Sequence, residues 1–333
     1  MRKALLVGGA GFIGHHLALY LKEEGRYEPI VVDSLGVNNI YQRIASGNYG
    51  DRYMKFLENR LDLLKSAGIP LEVIDARDYH ALSATIGKHR PDVVVHLAAV
   101  AHAGKAYKGP FATFDHSLRT LENALDACLD RVEHFVYFSS SMVYGNFRTE
   151  RVYEDSLLDP IDVYGSLKAA GELMVMAYGR CYGFPNVTVI RPSALYGPRC
   201  ISKRVVQIFL EAAMDGNDLL IQGDGEERLD FTYIDDLVEG VALVLNNDIA
   251  HQQVFNMTYG ESRSLNQLAD LVCRIYGVGH LHVERPNLMP FRGTLDIGKA
   301  KTMLGYSPEW PLEEGIVEYS LWYREERENR AII

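Results

Sequence analysis

Seven residues near the N-terminus, Gly8-Gly9-Ala10-Gly11-Phe12-Ile13-Gly14, constrain this chain more than any other feature. They follow a short apolar run at residues 4–7, which reads as a strand, and they open a segment at 14–24 with helical spacing. Glycine at such a junction permits a tight turn, close approach of a pyrophosphate and close helix–strand contact. The phosphates then lie at the positive end of the helix. A glycine cluster alone is weak evidence of a nucleotide site; a strand before it and a helix after it make the reading specific. Gly8, Gly11, Phe12, Ile13 and Gly14 are therefore candidate coenzyme residues.

Asp33 stands at the end of the next apolar run, residues 29–32. A carboxylate there accepts hydrogen bonds from a ribose 2′-hydroxyl and repels a 2′-phosphate, which favours NAD over NADP. Further runs at 71–74, 93–97 and 134–139 are nearly continuous in apolar residues, as parallel strands buried on both faces are. Strands alternating with helical patterns predict an α/β fold, a doubly wound parallel sheet of Rossmann type. Asp75 and Ala76, after the third run, would flank an adenine. The connection over 34–70 is long, and residues 53–65 have helical spacing, so an extra helix is expected near the cofactor edge.

After about residue 185 the pattern changes: a strand at 187–190, helices at 204–214 and 236–246, and a capping box at Ser264-Leu265-Asn266-Gln267. The expected division is a NAD-binding Rossmann domain at 1–185 plus about 229–262, and a smaller C-terminal substrate lobe at 186–228 and 263–333.

Tyr164 and Lys168 are four residues apart, on one face of a helix. An ammonium beside a phenol stabilises the phenolate and lowers its pKa from about 10, which suits Tyr164 to general-base work. A serine run, Ser139-Ser140-Ser141, ends the strand before it. Its hydroxyl can bond the same substrate oxygen.

These motifs, with His96-Leu97-Ala98-Ala99, Val143-Tyr144-Gly145, Arg191-Pro192, Tyr196-Gly197-Pro198 and Asp230-Phe231, occur in the order and spacing of extended short-chain dehydrogenases. The chain resembles the NAD-dependent nucleotide-sugar epimerase/dehydratase family, UDP-glucose and UDP-glucuronate 4-epimerases within it. The resemblance covers residues 2 to about 320. It implies a tightly held NAD lined also by Leu97, Ala98 and Ala99, a nucleotide-sugar substrate, and a homodimer built through a four-helix bundle. It places the catalytic serine on Ser140, with Ser139 as runner-up, beside Tyr164 and Lys168; Lys168 would also hold the nicotinamide ribose.

Departures from the family pattern matter as much. Ser141 and Met142 stand where 4,6-dehydratases carry Asp and Glu; methionine transfers no proton, so that reaction is disfavoured. Ala194 replaces a common asparagine, and Leu229 replaces an arginine that contacts the diphosphate. The clamp must be rebuilt from Arg228, Arg292, Arg199 or Lys203. His116 replaces an asparagine of the central helix, whose side chain usually supports a water-mediated kink. His102, after the His96 strand, is a candidate substrate contact.

The expected activity is 4-epimerisation of a UDP-hexose or UDP-glucuronate through a transient 4-keto sugar. Within the family the rivals are a 4-dehydrogenase, 4-keto reductase, decarboxylase or dehydratase. Outside enzymes the rival is a NAD-sensing regulator, which would need none of Tyr164, Lys168 and Ser140. The net charge of −10 argues against nucleic acid as a partner. His15 and His16 are adjacent and point about 100° apart on a helix, so no metal site is expected. Met1-Arg2-Lys3 before an apolar run mimics a secretion signal, but glycines interrupt it and no cleavage site follows. With four cysteines in no C-x-x-C pair and no apolar stretch long enough for a membrane span, a cytoplasmic protein is expected.

Overall fold

The computed structural model describes residues 1–47, 51–100, 110–182, 184, 186–285 and 289–328. Seven parallel strands form its main sheet: β1 (Arg2–Val7), β2 (Tyr27–Asp33), β3 (Leu71–Val73), β4 (Val93–His96), β5 (His134–Phe138), β7 (Val187–Arg191) and β12 (Gln253–Asn256). Their order is β12-β7-β5-β4-β1-β2-β3, so the sheet is doubly wound with its reversal at β1/β4. Ala4 and Leu6 pack on one face of β1, Leu5 and Val7 on the other, all fully buried. This is why the strand reads as a continuous apolar run rather than an alternating one.

Helices cover both faces. α1 (Phe12–Glu24) and α9 (Ile234–Leu245) lie on one, through Leu17, Leu21, Leu237 and Val241. α4 (Tyr79–His89), α6 (Thr120–Cys128) and α7 (Val163–Cys181) lie on the other, through Leu82, Ile86, Leu121, Leu125 and Val175. Each such side chain contributes roughly 1.5–3 kcal/mol by leaving water.

A third cluster builds the second part of the molecule. It joins α8 (Val205–Met214), α10 (Leu265–Tyr276) and α12 (Leu312–Glu328) through Phe209, Leu210, Leu268, Val272, Ile316 and Tyr319. Four two-stranded pairs stitch distant segments together. β6 (Arg151–Val152) pairs with β15 (Thr294–Leu295), and β8 (Leu195–Tyr196) with β11 (Thr232–Tyr233). β9 (Leu219–Gln222) pairs with β14 (His280–Val283), and β10 (Arg228–Leu229) with β13 (Arg263–Ser264).

The long connection contains α2 (Ile40–Ala45) and α3 (Arg52–Ser66). α3 begins where Asp51 accepts the Met54 amide at 2.9 Å, and it buries Phe56 against Trp322 of α12 with ring centroids 4.8 Å apart. The expected extra helix thus bridges the sheet edge and the third cluster; the short α2 had no periodic signal long enough to read.

One expectation needs correction. The domain boundary at 185/186 falls inside the main sheet, because β7 pairs with β5 from Phe135↔Val187 to Phe138↔Ile190; the composition changes there but the hydrogen-bond ladder does not. In the central helix, a π-helical turn at Asp115–Arg119 separates α5 (Pro110–Phe114) from α6. The helix therefore departs from α geometry at His116 without the usual asparagine.

Candidate active site

The glycine turn closes over the carboxyl end of β1. Gly8 has φ +84°, and a Cβ there would lie 2.7 Å from the Ala98 backbone nitrogen. Only glycine lets the two strand-end loops approach so closely. Gly11 is the N-cap of α1, no side chain caps it, and no acidic residue occupies the first turn. The helix end is thus left to a ligand with negative charge.

The cleft beyond it is lined by Gly8, Gly11, Phe12, Ile13, Gly14, Asp33, Asp75, Ala76, Leu97, Ala98 and Ala99, with Arg60, His116, Thr120 and Arg204. Of the coenzyme candidates read from the sequence, those from the glycine turn, Asp33, Asp75, Ala76 and Leu97 to Ala99 lie here; Tyr164 and Lys168 are not among the lining residues. Asp33 accepts the Ala10 amide at 3.0 Å and the Leu35 amide at 2.8 Å, one on each oxygen. A carboxylate has about four acceptor positions, so capacity remains for ribose hydroxyls. Burial pushes its carboxyl up to about 6 against those two amides and Arg60. Asp75 is held by Arg77 at 2.7 Å, which lowers its pKa. A dinucleotide fits this donor and acceptor set.

Tyr164 is linked to this cleft through the charge of Arg204, and α7 starts where Asp162 accepts the Gly165 amide at 2.7 Å. That cap sets Tyr164 in the first turn, half-buried, with the Ser140 hydroxyl in hydrogen-bond reach. Burial raises the Tyr164 phenol, while Arg204 and Ser140 pull it back down. Lys168 behaves differently from the sequence expectation. Its ammonium donates to the Phe138 carbonyl at 2.6 Å and lies over the Tyr137 ring; the cation acting on Tyr164 is Arg204. Burial lowers Lys168 to about 8, with Glu172 opposing.

Ser139 donates to Glu172, which also holds Arg191 at 2.6 Å in a buried ion pair. Arg191 in turn donates to Tyr144 at 2.8 Å, and Tyr144 to Asn256 at 2.7 Å. Ser139 is spent in this network, whereas Ser140 faces the phenol. Ser141 is buried against Ser193 at 3.2 Å, and Met142 is half-buried beside it.

The cations sort unexpectedly. Arg199 donates to His15 Nε2 at 3.0 Å, behind the glycine turn, and Lys203 lies over the Tyr53 ring of α3. Arg228 is exposed and donates to the Ser262 carbonyl at 2.6 Å. Arg292 is the one clamp candidate drawn toward Tyr164: its charge interacts with Arg204 and Asp162, which also act on the phenol. Arg292 and Arg285 flank the buried Glu227 at 3.7 and 3.5 Å. Those separations are too long for good hydrogen bonds, and the Nε atoms of both arginines are buried without a partner. Sequence reasoning missed Arg204 and Arg285; neither sits at a motif position. His102 lies outside the described residues.

Comparison with known proteins shows the same family and fold. Residues 4–258 fit the model of the NAD dependent epimerase/dehydratase family. The structure superposes on UDP-glucuronic acid 4-epimerase from Bacillus cereus, solved with UDP-glucuronic acid and NAD, with a TM-score of 0.87 at 25% identity, covering 97% of this chain and 99% of that one. On UDP-glucose 4-epimerase from Thermotoga maritima, solved with UDP-glucose, the TM-score is 0.84 at 29% identity, with the same 97% and 99% coverage. A trifunctional 4,6-dehydratase/3,5-epimerase/reductase of Arabidopsis thaliana is 27% identical over 98% of this chain, which spans about half (48%) of that protein's length.

Proposed function

The chain belongs to the NAD-dependent epimerase/dehydratase family, and we propose that it epimerises a nucleotide-activated sugar at C4 through a transient 4-keto sugar. UDP-glucuronate or a UDP-hexose is the favoured substrate, supported by the likeness to the Bacillus cereus and Thermotoga maritima 4-epimerases. The observation that carries the reading is the pairing of Tyr164 with Ser140, in charge range of Arg204 of the coenzyme cleft, with Ser141 and Met142 following.

NAD, held by the glycine turn, Asp33 and Lys168, would supply a reversible acceptor for the C4 hydride. Tyr164 removes the proton of the C4 hydroxyl and returns it, and Ser140 hydrogen-bonds the same oxygen. Lys168 keeps a positive charge beside the Phe138 strand end, where it can hold the nicotinamide ribose. Arg285 and Arg292, whose Nε donors are unpaired, exchange Glu227 for phosphate oxygens of the diphosphate, with the charge of Arg204 nearby. Ser141 is locked to Ser193 and Met142 has no transferable proton, so nothing at these two positions protonates a C6 hydroxyl.

The test is product analysis by NMR after incubating a nucleotide hexose or uronate in D₂O without added NAD. The C4 epimer with no deuterium at C4 supports the reading. A 4-keto-6-deoxy product, or steady release of NADH with a keto product, overturns it in favour of a dehydratase or a dehydrogenase.

A homodimer is part of the same proposal. Leu173 on α7 is 67% exposed, and Phe111 and Phe114 are exposed on α5, which touches α7. Light scattering that returns the mass of one chain would remove it. Among the described residues no helix is long and apolar enough to cross a membrane.

A further inference from the structure

α3 is amphipathic, and its buried face is apolar through Tyr53, Phe56, Leu57 and Leu64, with one exception. Arg60 is 1% exposed and the largest fully buried side chain of the molecule's described part. Burying a guanidinium without a bonded anion is costly, yet no carboxylate forms an ion pair with it among the described contacts. Nη2 donates to the Arg199 carbonyl, and Nε is buried with no partner. A guanidinium has five N–H donors, so most of its capacity is unspent.

Arg60 lines the coenzyme cleft next to Asp33, Ser34, Val37 and Asn38, and its charge and that of Asp33 favour one another. Its mount is firm. The Arg199 carbonyl that anchors it belongs to the residue whose Nε donates to His15 Nε2, and His15 Nδ1 donates in turn to the Gly11 carbonyl at 2.8 Å. The insert helix is therefore tied by three side chains to the glycine turn.

We propose that Arg60 is a coenzyme-binding residue that faces the adenosine half of the dinucleotide beside Asp33, so that the Asp33–Arg60 pair, and not Asp33 alone, sets the discrimination between a ribose 2′-hydroxyl and a 2′-phosphate. The inference rests on the coenzyme reading above. With both charges present, the carboxylate takes the ribose hydroxyls and cancels most of the attraction that the guanidinium would exert on a 2′-phosphate. With the carboxylate neutralised, the guanidinium stands unopposed and welcomes that phosphate.

The test titrates the full chain with NAD and with NADP by calorimetry, for the parent, Asp33→Asn, Arg60→Met, Arg60→Lys, and the two double variants. Asp33→Asn should bind NADP about tenfold or more tightly than the parent. The gain should vanish in Asp33→Asn/Arg60→Met and survive in part in Asp33→Asn/Arg60→Lys. Arg60→Met should also weaken NAD binding by about tenfold. Circular dichroism and thermal unfolding identify a variant that fails to fold; should Arg60→Met do so, the Asp33→Asn and Arg60→Lys arms decide. A gain in NADP affinity that persists without Arg60, or no gain in Asp33→Asn, overturns the proposal while leaving NAD as the coenzyme. A parent chain that binds neither dinucleotide overturns the coenzyme reading, and this inference with it.

Discussion

The coenzyme end and the proposed substrate end of the site are built from different material. The coenzyme end is made largely of backbone: a glycine turn, an uncapped helix N-terminus and strand ends, with Asp33 held by two amides. The proposed substrate end is made of side chains on connections, where two arginines flank one glutamate at 3.5 and 3.7 Å. A backbone site is positioned by the fold itself. A side-chain site is positioned by whichever counter-charge is present, so it is expected to rearrange when a diphosphate replaces Glu227.

The sharpest test falls where the ends meet. Tyr164→Phe keeps the ring and the cleft but removes the base, so turnover should fall about 10²–10⁴-fold with coenzyme affinity unchanged. Parent-like turnover would mean that the proton leaves by another route. Gly8→Ala attacks the backbone end: its Cβ would meet Ala98 N at 2.7 Å in a φ +84° conformation. Coenzyme affinity should drop more than about tenfold and the melting temperature should fall, since the left-handed strain alone costs about 1 kcal/mol. If NAD binding survives intact, the turn is less rigid than its geometry requires.

Alanine at Arg285 or Arg292 should raise KM for the nucleotide sugar by about an order of magnitude while coenzyme affinity stays put. An unchanged KM in both variants would move the clamp elsewhere and erase the contrast. The pH profile separates Lys168 from its neighbours. Burial lowers it to about 8, so its charge is present below that pH and lost as pH rises through it. The alkaline limb of kcat/KM should therefore lie near 8 and move upward in Lys168→Arg; a limb that stays in place belongs to another group. The smallest effect concerns Ala194, whose φ is +36°. Asparagine tolerates left-handed backbone better than alanine, so Ala194→Asn should be neutral or stabilise by up to about 1 kcal/mol in denaturant unfolding.

The contrast also explains what could be read in advance. The strands, the glycine turn, Asp33 and the Tyr164–Lys168 helix are legible because each rests on local chemistry, apolar runs, a strand end, a cap and a spacing of four on one helix, whereas Ser140 rests on the family resemblance. Arg199 and Lys203 were reasonable clamp candidates by sequence position. The backbone there turns left-handed at both residues, φ +62° and +51°, and the two side chains face α1 and α3 while Arg204 faces the cleft. Arg60 and Arg285 gave no signal, because a charged residue within a helix or a loop reads as a solvated one until its neighbours are known. The boundary at 185 failed for a related reason: composition records the surroundings of a strand, not its partners.

The two ends of the site are completed at different times as the chain is made. When α8 has left the ribosome, six of the seven main strands and Arg204 exist, with Asp33, Arg60 and Tyr164. Arg285 and Arg292 do not, nor does β15, which must return to pair with β6. The 88 residues from Arg204 to Arg292 take about 4–18 s to synthesise at roughly 5–20 residues per second. Through that interval the nascent protein holds nearly all of a nucleotide pocket and only part of a sugar pocket, so the coenzyme can be captured during translation, before any substrate has a place to bind.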